Sequence, residues 1–381
     1  MIEIQTRQSV RQGVKHILCY IDYDHEKRET AGFKAPDDIA EICRQIGCRR
    51  LTLPYFPFRR SKHYKKLWML TVGLWSWLKM AKSINEEDVI IFQHPTYPTY
   101  GKRITEKMIR RIKKQKNCRF IAFIHDLEPL REGIDGVPGN FKKTTQIIGY
   151  GVLKYFDVII CHNDSMKSWM IERGFDPDIL FPLELFDYLT EAELQNRKRN
   201  ETPQICIAGF LSKEKCSYIY DIIEEKEHRN DHLILDIYGK DFSEKDSNPR
   251  MIYHGAFPPD ILPGILEGDF GLIWDGLSVD TCSGNSGVYL RYNSPHKTSL
   301  YLVAGIPVIV WKEAAIADFV LRYQVGIAVD SLLGLDEILQ SVSLEEYQRM
   351  RENALEISKR LKTGYYTRRA LQNCIDYLKE E

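Results

Sequence analysis

The sequence has no C-x-x-C pair, no leader-like apolar start, no net charge and no uninterrupted apolar run of about 18 residues. Each absence removes a class. Nine cysteines, an odd number scattered from Cys19 to Cys374, suit neither a disulfide framework nor a zinc ribbon, and fit a reducing cytoplasm. The polar start, Met1 to Lys15, is not a secretory signal, and no segment is expected to span a bilayer. Lys plus Arg and Asp plus Glu balance at 53 each, so nothing in the overall charge points to nucleic acid. What is present is an ordinary globular composition, 44% hydrophobic and 28% charged, on 381 residues, enough for two domains with separate cores.

Strand-like and helix-like segments alternate from Ile17 onward, the pattern of an α/β parallel sheet flanked by helices. Strands are expected at Ile17–Ile21, Leu51–Leu53, Val89–Phe92, Phe120–Ile124 and Val158–Cys161. Helices are expected at Pro36–Ile46, Tyr64–Lys82, Lys102–Lys116, Lys142–Tyr155 and Ser165–Arg173. Ligands in such sheets collect beyond the strands' carboxyl ends, which carry Asp22-Tyr23-Asp24, Gln93-His94-Pro95, His125-Asp126 and His162-Asn163-Asp164. A first domain over 1–187 ends in a highly charged, partly helical linker, Leu189 to Thr202. A second series over 203–361 has strands at Gln204–Ala208, Leu233–Tyr238, Met251–Tyr253, Phe270–Trp274, Val308–Val310 and Gly326–Val329. A terminal helix occupies 362–381.

The most informative stretch runs from Asn293 to Val310. Asn293 or Ser294 caps a helix with Pro295 in its first turn, Gly305 stops it, and an apolar strand follows. The unpaired amides and the dipole at such a helix start favour an anion. His296 and Lys297 place two cationic side chains where the dipole disfavours them unless something negative binds. A solvated surface lysine is the plainer alternative.

That stretch, "NSPHKTSLYLVAGIPVIVWKEAAIADFV", resembles the nucleotide-binding helix of two-Rossmann-domain (GT-B) glycosyltransferases. With "IHDLEPLR" at Ile124–Arg131 it resembles the family of bacterial β-1,6-galactofuranosyltransferases and the glucosyltransferases that extend glycans on streptococcal serine-rich adhesins. The resemblance implies two Rossmann-like domains facing across a cleft and a C-terminal helix crossing back to the first domain. It also implies inversion, a UDP-sugar donor and a glycan acceptor. It departs from the larger retaining group at Leu300, where a ribose-gripping glutamate would stand.

Around this frame, Asp126 is the candidate general base for an acceptor hydroxyl, because a strand-end carboxylate can be held partly desolvated; a loop-ordering role is the alternative. Gly209 and Lys213 form a turn open to phosphate or ribose. Tyr238 could stack on a base or simply pack its strand end. Arg291 and Tyr292 precede the helix and point toward the cleft, and amides at Ala314-Ala315-Ile316 could meet the donor sugar, with Asp318 compensating that helix dipole. Asp275 to Leu290 reads as an irregular glycine-rich loop able to order over a ligand. Asp22-Tyr23-Asp24 has the composition of a cation site but reads better as a solvated loop, and His228 and His232 lie in a polar helix end unsuited to zinc.

Phe56 to Lys82 joins a basic cluster (Arg59, Arg60, Lys62, His63, Lys65, Lys66) to an apolar, tryptophan-rich run. It fits an interfacial membrane helix; being apolar nearly all round, it fits burial in the first domain better. The expectation is a cytoplasmic, metal-independent hexosyltransferase without a cofactor, taking galactofuranose or glucose from a UDP-sugar to a glycan in bacterial polysaccharide or glycoprotein assembly. Lipid linkage of the acceptor, contact of residues 59–78 with the inner membrane face, and homo-oligomerisation stay open. A nucleotide-sugar epimerase and a non-catalytic subunit stabilising a partner transferase are the competing readings.

Overall fold

The computed structural model describes residues 17–24, 31–54, 62–95, 102–131, 151–224, 230–243 and 248–380. The glycine-rich stretch after Arg131, most of the helix expected at Lys142–Tyr155, and Arg59 and Arg60 lie outside them.

Two six-stranded parallel sheets form the chain. The first contains β1 (Leu18–Asp24), β2 (Arg49–Pro54), β3 (Val89–His94), β4 (Arg119–Ile124), β5 (Val158–Cys161) and β6 (Leu180–Pro182), ordered β2-β1-β3-β4-β5-β6. The second contains β7 (Gln204–Phe210), β8 (Ile234–Lys240), β9 (Met251–Gly255), β10 (Phe270–Ile273), β11 (Val308–Trp311) and β12 (Gly326–Val329), ordered β12-β11-β10-β7-β8-β9. Strand β6 was not expected; three residues ending in a proline carry almost no pattern.

In the first sheet, period-two alternation places strand residues on one of two cores. Tyr20, Ile91, Ile121 and Phe123 share one face with Ile39, Cys43 and Ile46 of or next to α1 (Ala31–Gln45). Cys19, Ile21, Ile90, Phe92 and Phe120 take the opposite face. That face is covered by α2 (Lys62–Trp68), a π turn at Met69–Gly73, α3 (Leu74–Ser83) and α4 (Lys102–Lys116). Trp68, Trp77 and Met80 point inward, but Leu67, Leu70, Val72 and Trp75 are exposed. The expectation of a helix buried all round is therefore corrected: only part of its apolar surface faces the core.

Two further helices position the site, α5 (Gly284–Tyr289) and α6 (His296–Val303). Helix α5 corrects the reading of Asp275 to Leu290 as wholly irregular; its glycines and serine hid it from propensity. Leu189 to Thr202 contains no helix, contrary to expectation. It is tied down instead: Arg199 Nη2 donates to the Leu339 carbonyl (2.5 Å) and Gln195 Nε2 to that of Gly264 (2.9 Å).

After the second sheet, α7 (Leu344–Lys362) packs on α6, with Ser358 Oγ donating to the Val303 carbonyl (2.8 Å). The chain turns at Gly364 (φ +70°) into α8 (Tyr365–Glu380), which returns to the first sheet. Asp187 accepts the α8 amides of Tyr366 (3.2 Å) and Thr367 (2.7 Å), and Arg369 pairs with Glu184 (2.7 Å). A C-terminal helix thus braces the first domain.

Candidate active site

A cavity of about 670 Å³ lies between the sheets, at the carboxyl ends of the strands where each strand order reverses. The first sheet contributes Asp22, Gln93, His125, Asp126 and His162; the second contributes Gly209, Asp275 and the start of α6.

Helix α6 is held by its own sequence. Gly305 (φ +72°) ends it in a Schellman arrangement, its amide reaching the Leu302 carbonyl and that of Ile306 the Tyr301 carbonyl. Tyr301 lies on Gly271, where a Cβ would come within 2.2 Å of the ring, and its hydroxyl accepts the Ala208 amide (2.8 Å). The helix is thereby fixed to the end of β7.

Its start differs from expectation. The N-cap is Pro295, and neither Asn293 nor Ser294 caps. The Ser294 amide donates to His162 Nδ1 (3.1 Å), its hydroxyl donates to the Glu184 carbonyl (2.9 Å), and Asn163 Nδ2 donates to that hydroxyl (3.0 Å). Ser294 is a bracket between the domains, so the amides without an intrahelical acceptor begin at His296 and Lys297. Asn293 lines the cavity with its Oδ1 buried and unpaired.

His296 is not cationic, which corrects the sequence reading. Burial, then the charge of Lys34, push its pKa down to about 4 against the Asp187 carbonyl, and its ring stacks on Tyr188 at 5.0 Å. Lys297 keeps its charge. Burial favours the neutral amine, but Asp275 at 3.1 Å outweighs it and raises the pKa. Gly209 (φ +143°) leaves room for this lysine, since a Cβ there would lie 3.2 Å from Lys297 Cε. Lys215 Nζ lies 3.7 Å from the same Asp275 oxygen, so two ammonium groups flank one carboxylate.

Across the cavity, Asp126 is raised in pKa by burial, against Arg131 at 2.7 Å and the hydroxyl of Tyr289 at 3.4 Å. Its side chain is 27% exposed, reachable by a substrate. Tyr289 belongs to α5 of the second domain; it accepts the Leu127 amide (3.1 Å) and donates to Asp126. Beside it, Gln93 Nε2 donates to the Pro36 carbonyl (3.2 Å), which turns Gln93 Oε1 toward His125 Nε2 (2.6 Å). Burial, then His162, His296 and His94, push His125 down to about 3, whereas burial raises Asp126, so Asp126 takes up a proton the more readily of the two.

Lys213, Tyr238, Arg291, Tyr292 and Ala315 fall outside the cavity lining, Tyr292 packing against the core of the first domain. Lys213 is exposed over Tyr220 (5.0 Å), and Lys215, on the next helical position but one, faces inward instead. Tyr238 is buried, stacked on His254 at 4.5 Å and accepting the Glu267 amide (2.9 Å). Arg291 lies on Trp311 and pairs with Glu313. The Ala315 amide is used by the Leu290 carbonyl (2.8 Å), and the expected helix begins later, at Ala317. Asp22 lines the cavity but pairs with Arg50 (2.7 Å). Among the described residues, one group has ligand atoms close enough to hold a metal, Asp236, His254 and Glu267, and none of these lines the cavity.

The sequence reading missed Lys215, Asp275, Tyr289 and Lys34. Asp275 follows a strand, so the strand-end rule could have named it. Lys34 could not have been found: it bridges Asp38 (2.7 Å) and Asp260 (3.0 Å) from opposite domains.

Comparisons with known proteins agree with this arrangement. Residues 15–181 match the N-terminal domain, and residues 205–374 the C-terminal domain, of the glucosyltransferase 3-like family. The chain is 32% identical over 369 residues to the beta-1,6-galactofuranosyltransferase WbbI of Escherichia coli (strain K12), covering 92% of this chain and 96% of that one. It is 26% identical to glucosyltransferase 3 of Streptococcus gordonii, covering 90% and 93%. Among solved structures, sucrose-phosphate synthase from Thermosynechococcus elongatus shares the fold with a TM-score of 0.62 at 10% identity, covering 96% and 99%. Two facing Rossmann-like sheets, a cleft at their carboxyl ends and these matches together place the chain among the GT-B glycosyltransferases, as a member of the glucosyltransferase 3-like family.

Proposed function

We propose that this glycosyltransferase moves a hexose, galactofuranose or glucose, from a UDP-sugar to a glycan acceptor, with inversion and without a metal ion. One observation carries the reading. A single cavity holds a carboxylate of raised pKa on one sheet and a lysine ammonium at a helix start on the other.

In that displacement the acceptor hydroxyl attacks the anomeric carbon, its proton passes to an Asp126 oxygen, and the bond to the diphosphate breaks with both electrons leaving on oxygen. Negative charge grows on the departing phosphate. Lys297, Lys215 and the amides of His296 and Lys297 meet it; two ammonium groups against Asp275 leave one positive charge in excess. Phe210 and Phe257 line the cavity and present the rings that a base could use, in place of the buried Tyr238.

The test is turnover of purified protein with UDP-galactofuranose or UDP-glucose and a glycan acceptor, with the anomeric outcome read by NMR and chelator added in parallel. Lys297→Ala and Asp126→Asn are each expected to lose roughly 10²–10³-fold in kcat/KM while melting as the parent does. Near-parental rates in both variants would overturn the assignment.

A further inference from the structure

We propose that the outer face of α2, the π turn and α3, together with α4, is a docking surface for an anionic lipid bilayer. Of the fourteen large apolar side chains left exposed among the described residues, five (Tyr64, Leu67, Leu70, Val72 and Trp75) fall within twelve positions of one another. Scattered exposed leucines need no explanation, but a contiguous apolar ridge does. Leu67 is 60% exposed, Leu70 55% and Trp75 62%. The π turn contributes to this. Its extra residue per turn brings Trp75 back toward the line of Leu67 and Thr71, where an uninterrupted α-helix would carry it around toward the flank.

The charge around the ridge selects the occupant. Between 62 and 83 there are five lysines and no acid, and α4 carries eight Lys or Arg against one acid, Glu106. Both helical stretches bury their inner sides in one core, Trp77 and Met80 beside Met108, Ile109 and Ile112, so their outer sides form one molecular face. Arg103, Lys107, Arg110, Arg111 and Lys114 are exposed there, and Lys79 lies over the Trp75 ring at 5.2 Å. The whole chain is neutral, so cations are concentrated on this face. Leucine and tryptophan ringed by lysine and arginine match the acyl boundary and the anionic headgroups of a bilayer. A second copy fits poorly, because an isologous contact would set this basic face against itself.

Docking also bears on the acceptor, and that clause rests on the transfer reading above. Helices α2 and α4 follow the carboxyl ends of β2 and β3, so both begin at the cleft end of the first sheet. A lipid-borne glycan would then reach Asp126 from the membrane side.

The experiment is co-sedimentation of the full chain with phosphatidylcholine vesicles, with and without phosphatidylglycerol, at low and high salt. Binding is expected only with phosphatidylglycerol and is expected to weaken with salt. It should fall by roughly tenfold or more in a Leu67→Ser/Leu70→Ser/Trp75→Ser variant and in a Lys107→Glu/Arg111→Glu variant. Both variants should melt as the parent does and transfer to a water-soluble acceptor at parental rate, which separates docking from catalysis. Parent protein left in the supernatant with anionic vesicles, or variants that bind as the parent does, would overturn the proposal. So would a parental dimer that the apolar variant turns into a monomer, which would assign the ridge to self-association.

Discussion

At the scale of single residues, the coupling of Asp126 to Tyr289 sets a chemical constraint across the domains. The tyrosine hydroxyl donates to the carboxylate and so favours its ionised form, working with Arg131 against the burial that raises its pKa. Tyr289→Phe removes that donor and also leaves the Leu127 amide without its acceptor. The pKa of Asp126 should rise further. If Asp126 is the base, the acidic limb of kcat/KM against pH should move to higher pH in the variant, with the largest loss of rate on the acid side. An unmoved limb would mean that the rate does not report Asp126. Lys297 shows the same economy on the opposite wall: one carboxylate, Asp275, keeps the ammonium charged despite its being only 16% exposed.

At the scale of elements, α8 joins the two sheets into one unit. It grows from the second domain, buries Leu371 and Cys374 and packs on β5 and β6 of the first. Leu371→Ala should lower the unfolding free energy by about 2–5 kcal/mol, read by urea titration. Because α8 carries the chain from the second domain onto the first sheet, tryptophan fluorescence and far-ultraviolet circular dichroism should still report one shared transition; a split would mean that α8 does not couple the sheets. This helix and eleven of the strands were legible because long periodic patterns with glycine stops, such as those at Gly305 and Gly364, encode themselves locally. The phosphate helix was legible for the same reason, but its cap was not. Ser294 faces three groups of the first domain, and no local rule can report a partner 131 residues away. Helix α5 failed for the opposite reason: Gly284, Ser286 and Gly287 argue against a helix that tertiary contacts nevertheless hold, and Tyr289 was lost with it. The Leu67–Trp75 ridge was misread because apolar character on all sides does not say which side finds protein.

For the whole molecule, burial in and around the domain junction traps ionisable groups whose pH dependences oppose one another. Burial is the leading cause for each. It pushes His125 down to about 3 and His162 and His296 to about 4, and it pushes Asp38 and Asp187 up to about 7. A histidine depressed in the folded state contributes stability that is complete above its unfolded pKa near 6.5 and is lost as the pH falls toward 4. A carboxylic acid raised in the folded state does the reverse: its contribution is complete below about 4 and is lost as the pH rises through 7. Each group is worth about 1.4 kcal/mol per pH unit inside its window, so three histidines against two acids partly cancel and leave, from these five groups, the slope of a single group: stability falls on acidification by about 1.4 kcal/mol per pH unit below about pH 6.5. Single substitutions should uncover the hidden slopes. Measured by urea unfolding at pH 7 and pH 5, His296→Gln should become more stable relative to the parent on acidification, because it no longer carries a ring that resists its proton. Asp187→Asn should become less stable relative to the parent over the same interval, because it no longer carries a carboxyl that takes one up. Difference slopes of the same sign would show that burial does not shift these two groups in opposite directions.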